Sequence, residues 1–244
     1  MCSQLLFGER VEILETQERW FRIRNYADDY TGWVDRKMIL LLNEKEEAEL
    51  AKAIFKRIQT PLSTSKTSME AEEMLLPGGA LVPYANGLQY QFGREELKIN
   101  HADLVEDDAS GERIVDLAKQ YLNTPYLWGG KSVLGIDCSG LVQVVYSMCG
   151  IQLPRDASMQ VQHGKTVDFL SEAKSGDLAF FENAEGRIIH VGILLTPHQI
   201  IHASGQVKIE AIDTQGIVSN QTGGYSHNLR VVKRIIISTN QGLK

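Results

Sequence analysis

Apolar and polar side chains alternate along the first forty positions, at Val11 and Ile13 and again from Trp20 to Ile23. Gly8 and the segment 25–29 interrupt this alternation where turns are expected. A period of two is typical of strands that bury one face, so the segment predicts short antiparallel strands of a small barrel.

The pattern changes at Asn43, which is a residue type that caps helices. Glu46 follows three residues later, in the capping-box position, and apolar residues recur at helical spacing from Ala51 to Ile58. The sequence therefore predicts a helix over about residues 44–58 that joins two modules.

Residues 61–68 are rich in Ser, Thr and Lys and are predicted to form a loop. Turn signals at residues 77–79 and at Asn86-Gly87 then separate short apolar runs that continue to residue 104. These runs indicate a second small β module. The acidic residues 106–108 mark its boundary with the next domain.

The second half of the chain begins with helical periodicity and ends with strands. Apolar residues from Ile114 to Leu122 recur on one helical face, and a second helix is predicted from Cys138 to Cys149, stopped by Gly150. Apolar strands are predicted at 178–182, 188–195, 199–203, 208–212 and 230–237. Helices followed by a run of strands indicate an α+β architecture.

Length, charge and hydropathy limit the possible classes of protein. The 244 residues exceed the roughly 100–200 residues of one domain, so two or three modules are expected. A net charge of −6 without a basic run argues against a nucleic-acid partner. No apolar run approaches the about 20 residues of a membrane span, and residues 1–10 do not resemble a secretory signal. We expect a cytoplasmic protein, or a periplasmic or secreted one if a signal peptide has been removed; the sequence assigns no oligomeric state.

Cys138 is the most informative of the three cysteines, because Cys2, Cys138 and Cys149 cannot all pair and no extracellular feature favours disulfides. It lies where a helix is predicted to begin, and the helix dipole and N–H groups there favour a thiolate. The glycines at 129–130 and 135 allow a sharp turn before it. Cys138 is therefore the predicted nucleophile, with nearby N–H groups as an oxyanion hole.

His190 and His202 are the predicted base and orienting group. His190 lies in an otherwise apolar strand, where a histidine is more often structural than catalytic. His202 lies in the next predicted strand, and a turn near Pro197 is expected to bring the two histidines opposite each other on one face. Together with Cys138 they satisfy the requirement for nucleophile, base and orienter.

A metal site is the alternative for these three residues, because one cysteine and two histidines can hold zinc with a water in the fourth position. Zinc sites usually show closely spaced ligand pairs, which this sequence lacks, so we expect no metal and no cofactor. Cys149 is interpreted as a small buried apolar residue. The remaining histidines that we interpret as surface residues are His101, His163, His198 and His227.

Residues 112–237 resemble the NlpC-type family of bacterial cell-wall cysteine peptidases, which have a papain-like core. The matching segments are Thr124 to Gly130, Gly135 to Val142, Leu153 to Asp156, Gly176 to Leu178, His190 to Ile193 and His202. The resemblance implies an α+β, papain-like catalytic domain over 111–244, with helices packed on an antiparallel sheet.

The upstream modules resemble bacterial SH3-like domains, at residues 5–9 with 32–34 and at residues 76–78 with 82–84. Residues 1–43 are accordingly predicted to form one SH3-like barrel, truncated at its start. Residues 44–110 are predicted to contain the linker helix and a second SH3-like module.

The resemblance implies hydrolysis of the amide between γ-D-glutamate and a diamino acid in peptidoglycan-derived peptides. In the catalytic domain it assigns an oxyanion-stabilising hydroxyl to Tyr126, and it places Asp137, Ser139, Arg155 and Asp156 near the nucleophile or the D-glutamyl group. A purely structural ion pair is an equal alternative for Arg155 and Asp156.

The resemblance also implies that the first barrel restricts the substrate to released peptides with a free N-terminal L-alanine. Glu9 and Tyr30 are the candidates for binding that amine, unless Glu9 is a solvated turn residue and Tyr30 a packing residue. Two other functions stay open: a Cys-His amidase or acyltransferase on another cell-wall bond, and a non-catalytic wall-binding protein.

Overall fold

The structure is a computed structural model of the chain. It describes residues 1–67, 73–84, 89–92, 95–99, 104 and 109–236. The chain divides into two compact units, Met1–Glu106 and Asp107–Lys244. The predicted turn at Asn86-Gly87, the acidic residues 106–108 and His101 lie outside the described residues.

The first unit begins with the predicted short strands. They are β1 (Val11–Thr16), β2 (Trp20–Asn25) and β3 (Thr31–Asp35), which form a three-stranded antiparallel sheet. Burial alternates along β2, where Phe21 and Ile23 are buried and their neighbours are exposed. The period-two interpretation of this segment is confirmed.

The predicted helix at 44–58 is correct only in its first half. Helix α1 (Glu44–Leu50) has the expected capping box, but the chain then forms strand β4 (Ile54–Arg57). β4 pairs antiparallel with β7 (Leu81–Tyr84), and Ile58 packs in the core of this unit. Isoleucine and phenylalanine are favoured in strands, so pairing with a distant segment prevailed over local helical spacing.

The predicted loop at 61–68 is wrong, because strand β5 (Leu62–Thr67) occupies it. β5 pairs with β6 (Glu73–Pro77) and β9 (Glu95–Ile99), and β8 (Gln89–Phe92) completes a sheet with the order β6-β5-β9-β8. Ser63 and Ser65 are buried. These polar residues follow a period of two, which composition alone did not reveal.

The second unit contains the helices α2 (Gly111–Lys119), α3 (Cys138–Met148) and α4 (Ala157–Gln160). Every residue of α3 is buried, so this helix forms the centre of the unit. Gly150 follows it at φ +76°, a conformation that glycine adopts without strain, and stops the helix as predicted. Among the residues that the structure describes, no helix is both long and apolar enough to cross a membrane.

A seven-stranded antiparallel sheet packs against α3. Its strands are β12 (Lys165–Val167), β13 (Leu178–Glu182), β14 (Ile188–Thr196), β15 (Gln199–Ser204), β16 (Gln206–Ile212), β17 (Gly216–Val218) and β18 (Tyr225–Arg234), after a small hairpin of β10 (Lys131–Ser132) and β11 (Gly135–Ile136). The order is β12-β18-β13-β14-β15-β16-β17, and an additional pairing of β17 with β18 closes the sheet into a barrel. The predicted strands are present, although the last begins earlier than expected.

Candidate active site

The start of α3 is fixed by Asp137, which caps the helix. Its Oδ1 accepts the N–H of Gly140 at 2.7 Å, and its Oδ2 accepts the N–H of Gly129 at 2.7 Å. A Cβ atom on Gly140 would lie 2.2 Å from the carbonyl oxygen of Gly130, so the loop and the helix approach each other too closely for any other residue. These contacts hold Cys138, the first residue of α3, in one position.

Arg155 makes a buried ion pair with Asp137. Its Nη2 lies 2.6 Å from Asp137 Oδ2, and its Nη1 donates to Asp137 Oδ1 at 3.0 Å and to Ser139 Oγ at 2.8 Å. The guanidinium is only 1% exposed. Three of the predicted substrate-binding residues therefore form one internal network, whereas Asp156 is exposed at the start of α4.

The thiol of Cys138 does not have the lowered pKa that its place on the helix predicted. Burial, followed by the nearby Asp137 carboxylate, raises the pKa of Cys138 to about 11, although N–H groups of Val191 and Ser139 hydrogen-bond to the sulfur and Arg155 also opposes the increase. The expectation is wrong because desolvation of the anion exceeds the stabilisation at the helix start. The thiol is therefore protonated at neutral pH, and its sulfur is bonded to the backbone N–H of Val191, the residue that follows His190 in β14.

The two predicted histidines form a buried hydrogen-bonded chain. His190 Nε2 lies 2.9 Å from His202 Nδ1, and His202 Nε2 lies 2.9 Å from Glu210 Oε2. The sequence predicted that the two histidines lie directly opposite each other. The pairing of Ile193 with Ile201 shows instead that they are diagonal neighbours. They share a face because a shift of two residues preserves it.

Gly192 provides the space for this diagonal contact. A Cβ atom at position 192 would lie 2.9 Å from His202 Cβ and 2.7 Å from Ile200 Cδ1. Because real Cβ atoms do not approach so closely, a side chain at 192 would displace the His202 ring from its place beside His190.

Glu210 is a site residue that sequence reasoning missed. It lies in β16 opposite Ile200 and is only 2% exposed. Its Oε1 accepts the N–H of Asn220 at 2.8 Å, and Lys208 Nζ lies 3.3 Å from its Oε2. The signal was present in the sequence as a carboxylate between two apolar residues of a strand, Ile209 and Ala211.

His227 was predicted to be a surface residue, and this prediction is wrong. It lies half-buried in β18, where its ring stacks on His190 with centroids 4.1 Å apart and an angle of 24°. His227 pairs with Ile217 of β17, so closure of the barrel brings it to His190. His163 and His198 are exposed as predicted.

Burial lowers the pKa of all three clustered histidines. The pKa of His190 is lowered well below 6.5 by burial, with further contributions from His227, His202 and Lys208. Burial lowers the pKa of His202 to about 4 even though Glu210 opposes the change, and it lowers the pKa of His227 as well. The imidazoles are thus neutral at neutral pH, the form in which a base can accept a proton.

The structure groups three histidines that could hold a metal, His190, His202 and His227. This group differs from the zinc site considered from the sequence, which consisted of Cys138, His190 and His202. Ligand nitrogens of His190, His202 and His227 lie within 4.8 Å of one another. However, His190 and His202 use facing nitrogens to bond each other, and His227 stacks nearly parallel on His190. Stacked rings direct their in-plane lone pairs side by side rather than toward a common point, so the arrangement favours proton transfer over coordination.

The remaining predicted residues lie in two different units. Tyr126 is half-buried, and burial together with the charges of Cys138 and Asp137 raises the pKa of its hydroxyl to about 12, so the hydroxyl keeps its proton. Glu9 belongs to the first unit and accepts the N–H of Leu6 at 2.9 Å, so its carboxylate is bonded within a turn rather than simply solvated. Tyr30 is half-buried in the same unit.

The lowered histidine pKa values predict that the protein loses stability in acid. In the unfolded chain an imidazole binds a proton near pH 6.5, whereas folded His202 does so near pH 4. Between these values the unfolded state binds more protons than the folded state, so the free energy of unfolding decreases as pH falls below 6.5. The contribution of neutral His202 to stability is fully present above pH 6.5 and is lost as pH falls toward 4. The shift of His202 alone corresponds to about 3 kcal/mol.

Urea unfolding at about pH 7 and about pH 5 measures this loss. His163→Gln is the matched control, because that imidazole is exposed, and it should leave the difference unchanged. Equal free energies of unfolding at the two pH values would contradict the prediction.

The fold and the chemistry of this unit define a cysteine peptidase, in which a helix that starts at a cysteine packs on an antiparallel barrel that carries neutral histidines. Comparison with known proteins identifies the family of cysteine peptidases that this chain matches. Residues 123–226 match the model of the NlpC/P60 family, and residues 1–39 match the bacterial dipeptidyl-peptidase Sh3 domain.

Curated relatives extend this match over most of the chain. A gamma-D-glutamyl-L-lysine dipeptidyl-peptidase of Bacillus subtilis is 30% identical over 221 residues, which is 82% of this chain and 71% of the relative. A protein of the same name from Bacillus cereus is 24% identical and covers 91% of this chain and 73% of the relative. The chain belongs to the NlpC/P60 family.

A solved structure supports the fold. The crystal structure of an NlpC/P60 family protein from Bacillus cereus superposes with a TM-score of 0.81 at 22% identity, covering 96% of this chain and 81% of the other. The protein therefore has the papain-like NlpC/P60 fold with an SH3-like domain at its N-terminal end.

Proposed function

We propose that this protein hydrolyses the amide between the γ-carboxyl group of D-glutamate and a diamino acid in peptidoglycan stem peptides. The observation that carries the proposal is the buried Cys138 thiol, bonded to the N–H of Val191 in the same strand as His190, which pairs with His202 at 2.9 Å. Two relatives named gamma-D-glutamyl-L-lysine dipeptidyl-peptidase match 82% and 91% of the chain, which supports the same bond as the target.

In the proposed mechanism, His190 takes the proton of the Cys138 thiol as the sulfur attacks the γ-carbonyl carbon. Proton transfer during the attack suits a thiol whose pKa is raised to about 11, because such a thiol still carries its proton when the substrate binds. N–H groups at the start of α3 and the Tyr126 hydroxyl stabilise the oxyanion. Protonated His190 then gives its proton to the leaving amine, which leaves a thioester, and His190 next activates the water that hydrolyses it.

We further propose that Asp137, Ser139 and Arg155 act mainly by holding the nucleophile in place. Their side chains are buried and bonded to one another. Asp156 is exposed at the start of α4, a position that suits contact with a substrate better than support of the helix.

For the upstream part of the chain, we propose one SH3-like barrel over 1–43 and a linker helix with a second SH3-like module over 44–110, before the peptidase domain over 111–244. The match of residues 1–39 to the Sh3 domain of dipeptidyl-peptidases supports released peptides with a free N-terminal L-alanine as substrates. Glu9 and Tyr30 are the proposed partners of that amine. We place the reaction in the cytoplasm, whose reducing conditions suit a chain in which all three cysteines are thiols.

Incubation with L-Ala-γ-D-Glu-L-Lys, with products read by mass spectrometry, tests the target bond. The expected products are L-Ala-γ-D-Glu and lysine. Cys138→Ala is the control and should yield neither product. If the wild type leaves this peptide intact but releases peptide from an N-acetylmuramyl-peptide, the amidase function replaces the proposed one.

The N-acetylated tripeptide, assayed in parallel, tests the role of the free amine. Blocking the amine should slow cleavage, and Glu9→Gln should slow cleavage of the unblocked peptide without affecting the blocked one. Equal rates for the two peptides would rule out amine recognition by Glu9 and Tyr30.

A further inference from the structure

Glu210 is a buried carboxylate whose charge is stabilised by its surroundings. Oε1 accepts the Asn220 N–H at 2.8 Å, and Oε2 lies 2.9 Å from His202 Nε2 and 3.3 Å from Lys208 Nζ. The bonds from Asn220 and His202 lower the pKa of Glu210 although burial acts to raise it. At neutral pH Glu210 is therefore ionised and can only accept hydrogen bonds.

This acceptor decides which nitrogen of each histidine carries a proton. The contact with Oε2 requires a hydrogen on His202 Nε2, so the Nδ1 of a neutral His202 has a lone pair and accepts. His190 must then donate from its Nε2, which faces that Nδ1 at 2.9 Å. His190 Nδ1, its only other ring nitrogen, is left with the lone pair that can receive the Cys138 proton.

Without a fixed acceptor at Glu210 the order of protons in this pair can reverse. His202 can instead carry its hydrogen on Nδ1 and donate to His190 Nε2. His190 then carries its own hydrogen on Nδ1 and cannot take a proton from a thiol. Each arrangement places one hydrogen between the two neutral rings. The pair alone therefore does not hold the arrangement in which His190 Nδ1 can accept a proton.

We propose that Glu210 is a positioning residue that fixes the tautomers of His202 and His190, and so keeps His190 able to deprotonate Cys138. The inference rests on the proposed cysteine peptidase reaction. It extends the arrangement from three residues to four, with Asn220 and Lys208 orienting the fourth.

Glu210→Gln is the sharpest test, because glutamine has the same shape and only one oxygen. The Asn220 N–H is a fixed backbone donor and holds that oxygen at the Oε1 position, whereas the partly exposed Lys208 side chain can turn its ammonium away from Oε2. The amide NH₂ is thereby turned toward His202 Nε2. The amide then donates to Nε2 and imposes the reversed tautomers. We expect kcat to fall by about 10²–10⁴-fold with KM nearly unchanged, since a wrong tautomer in a Ser-His-Asp triad costs a comparable factor.

Glu182→Gln is the matched control. It removes a carboxylate from an ion pair with Arg230 in the same barrel, at 3.3 Å, and should retain the wild-type kcat. An equal fall in both variants, or a Glu210→Gln enzyme within about twofold of the wild-type kcat, overturns the proposal.

Nitrogen-15 NMR of the histidine rings tests the same proposal without any substrate. In the wild type, Nε2 of both His190 and His202 should carry the hydrogen, and in Glu210→Gln the hydrogen should move to Nδ1. A wild-type His202 protonated on Nδ1 overturns the proposal even if the variant fails to fold. Because this measurement does not depend on peptide cleavage, it separates failure of the inference from failure of the proposed function.

Discussion

Replacing His190 with glutamine is expected to lower kcat for the tripeptide by about 10²–10⁴-fold, the usual contribution of a general base. Glutamine fills a similar volume, and its amide can still donate to His202 Nδ1. It has no basic nitrogen, however, and a thiol with a pKa of about 11 gives up its proton at neutral pH only to a base that is already in place.

Initial rates over a range of peptide concentrations measure this effect. His198→Gln is the matched control, since that imidazole is exposed in the turn between β14 and β15, and it should keep wild-type rates. A His190→Gln enzyme with the kcat of the control would show that another group takes the thiol proton.

Replacing Arg155 with leucine is expected to lower the free energy of unfolding by about 3–5 kcal/mol, because it leaves one partner of a buried ion pair uncompensated. Asp137 would lose two hydrogen bonds from the guanidinium, and Ser139 would lose one. Cleavage should also be lost, since Asp137 caps the helix that presents Cys138.

Urea or thermal unfolding measures the stability change, and two variants sharpen it. Arg187→Leu breaks an exposed pair with Glu185 and should cost at most about 1 kcal/mol. Combining Arg155→Leu with Asp137→Asn removes the stranded charge but turns the amide NH₂ toward the N–H of Gly129 or of Gly140, so it should recover only part of the lost stability. If Arg155→Leu costs no more than Arg187→Leu, the buried pair does not stabilise the helix start.

The features that could be predicted from the sequence depend on near neighbours. Helix α3 was predicted from its apolar face, and its stop from Gly150, because capping and periodicity are local properties. The placement of His190 and His202 on one face followed from a hairpin with a short turn. The diagonal offset of the two histidines could not be predicted in this way, because it depends on a register shift near Leu194 and on a glycine at position 192.

The features that were missed depend on residues far apart in the chain. Strand β4 took the place of a predicted helix because it pairs with β7, more than twenty residues away. His227 and Glu210 join the histidines only when the barrel closes, which no local pattern encodes. The raised pKa of Cys138 likewise results from burial of the whole helix, and not from the helix start alone.

Closure of the barrel also has a consequence for synthesis of the protein. β18 lies between β12 and β13, pairs with β17, and carries the ring that stacks on His190. A ribosome makes this strand last among the described strands. The nascent chain therefore acquires its complete histidine cluster only after β18 has left the exit tunnel, so a partly synthesised chain has Cys138 and His190 without the ring that stacks on His190.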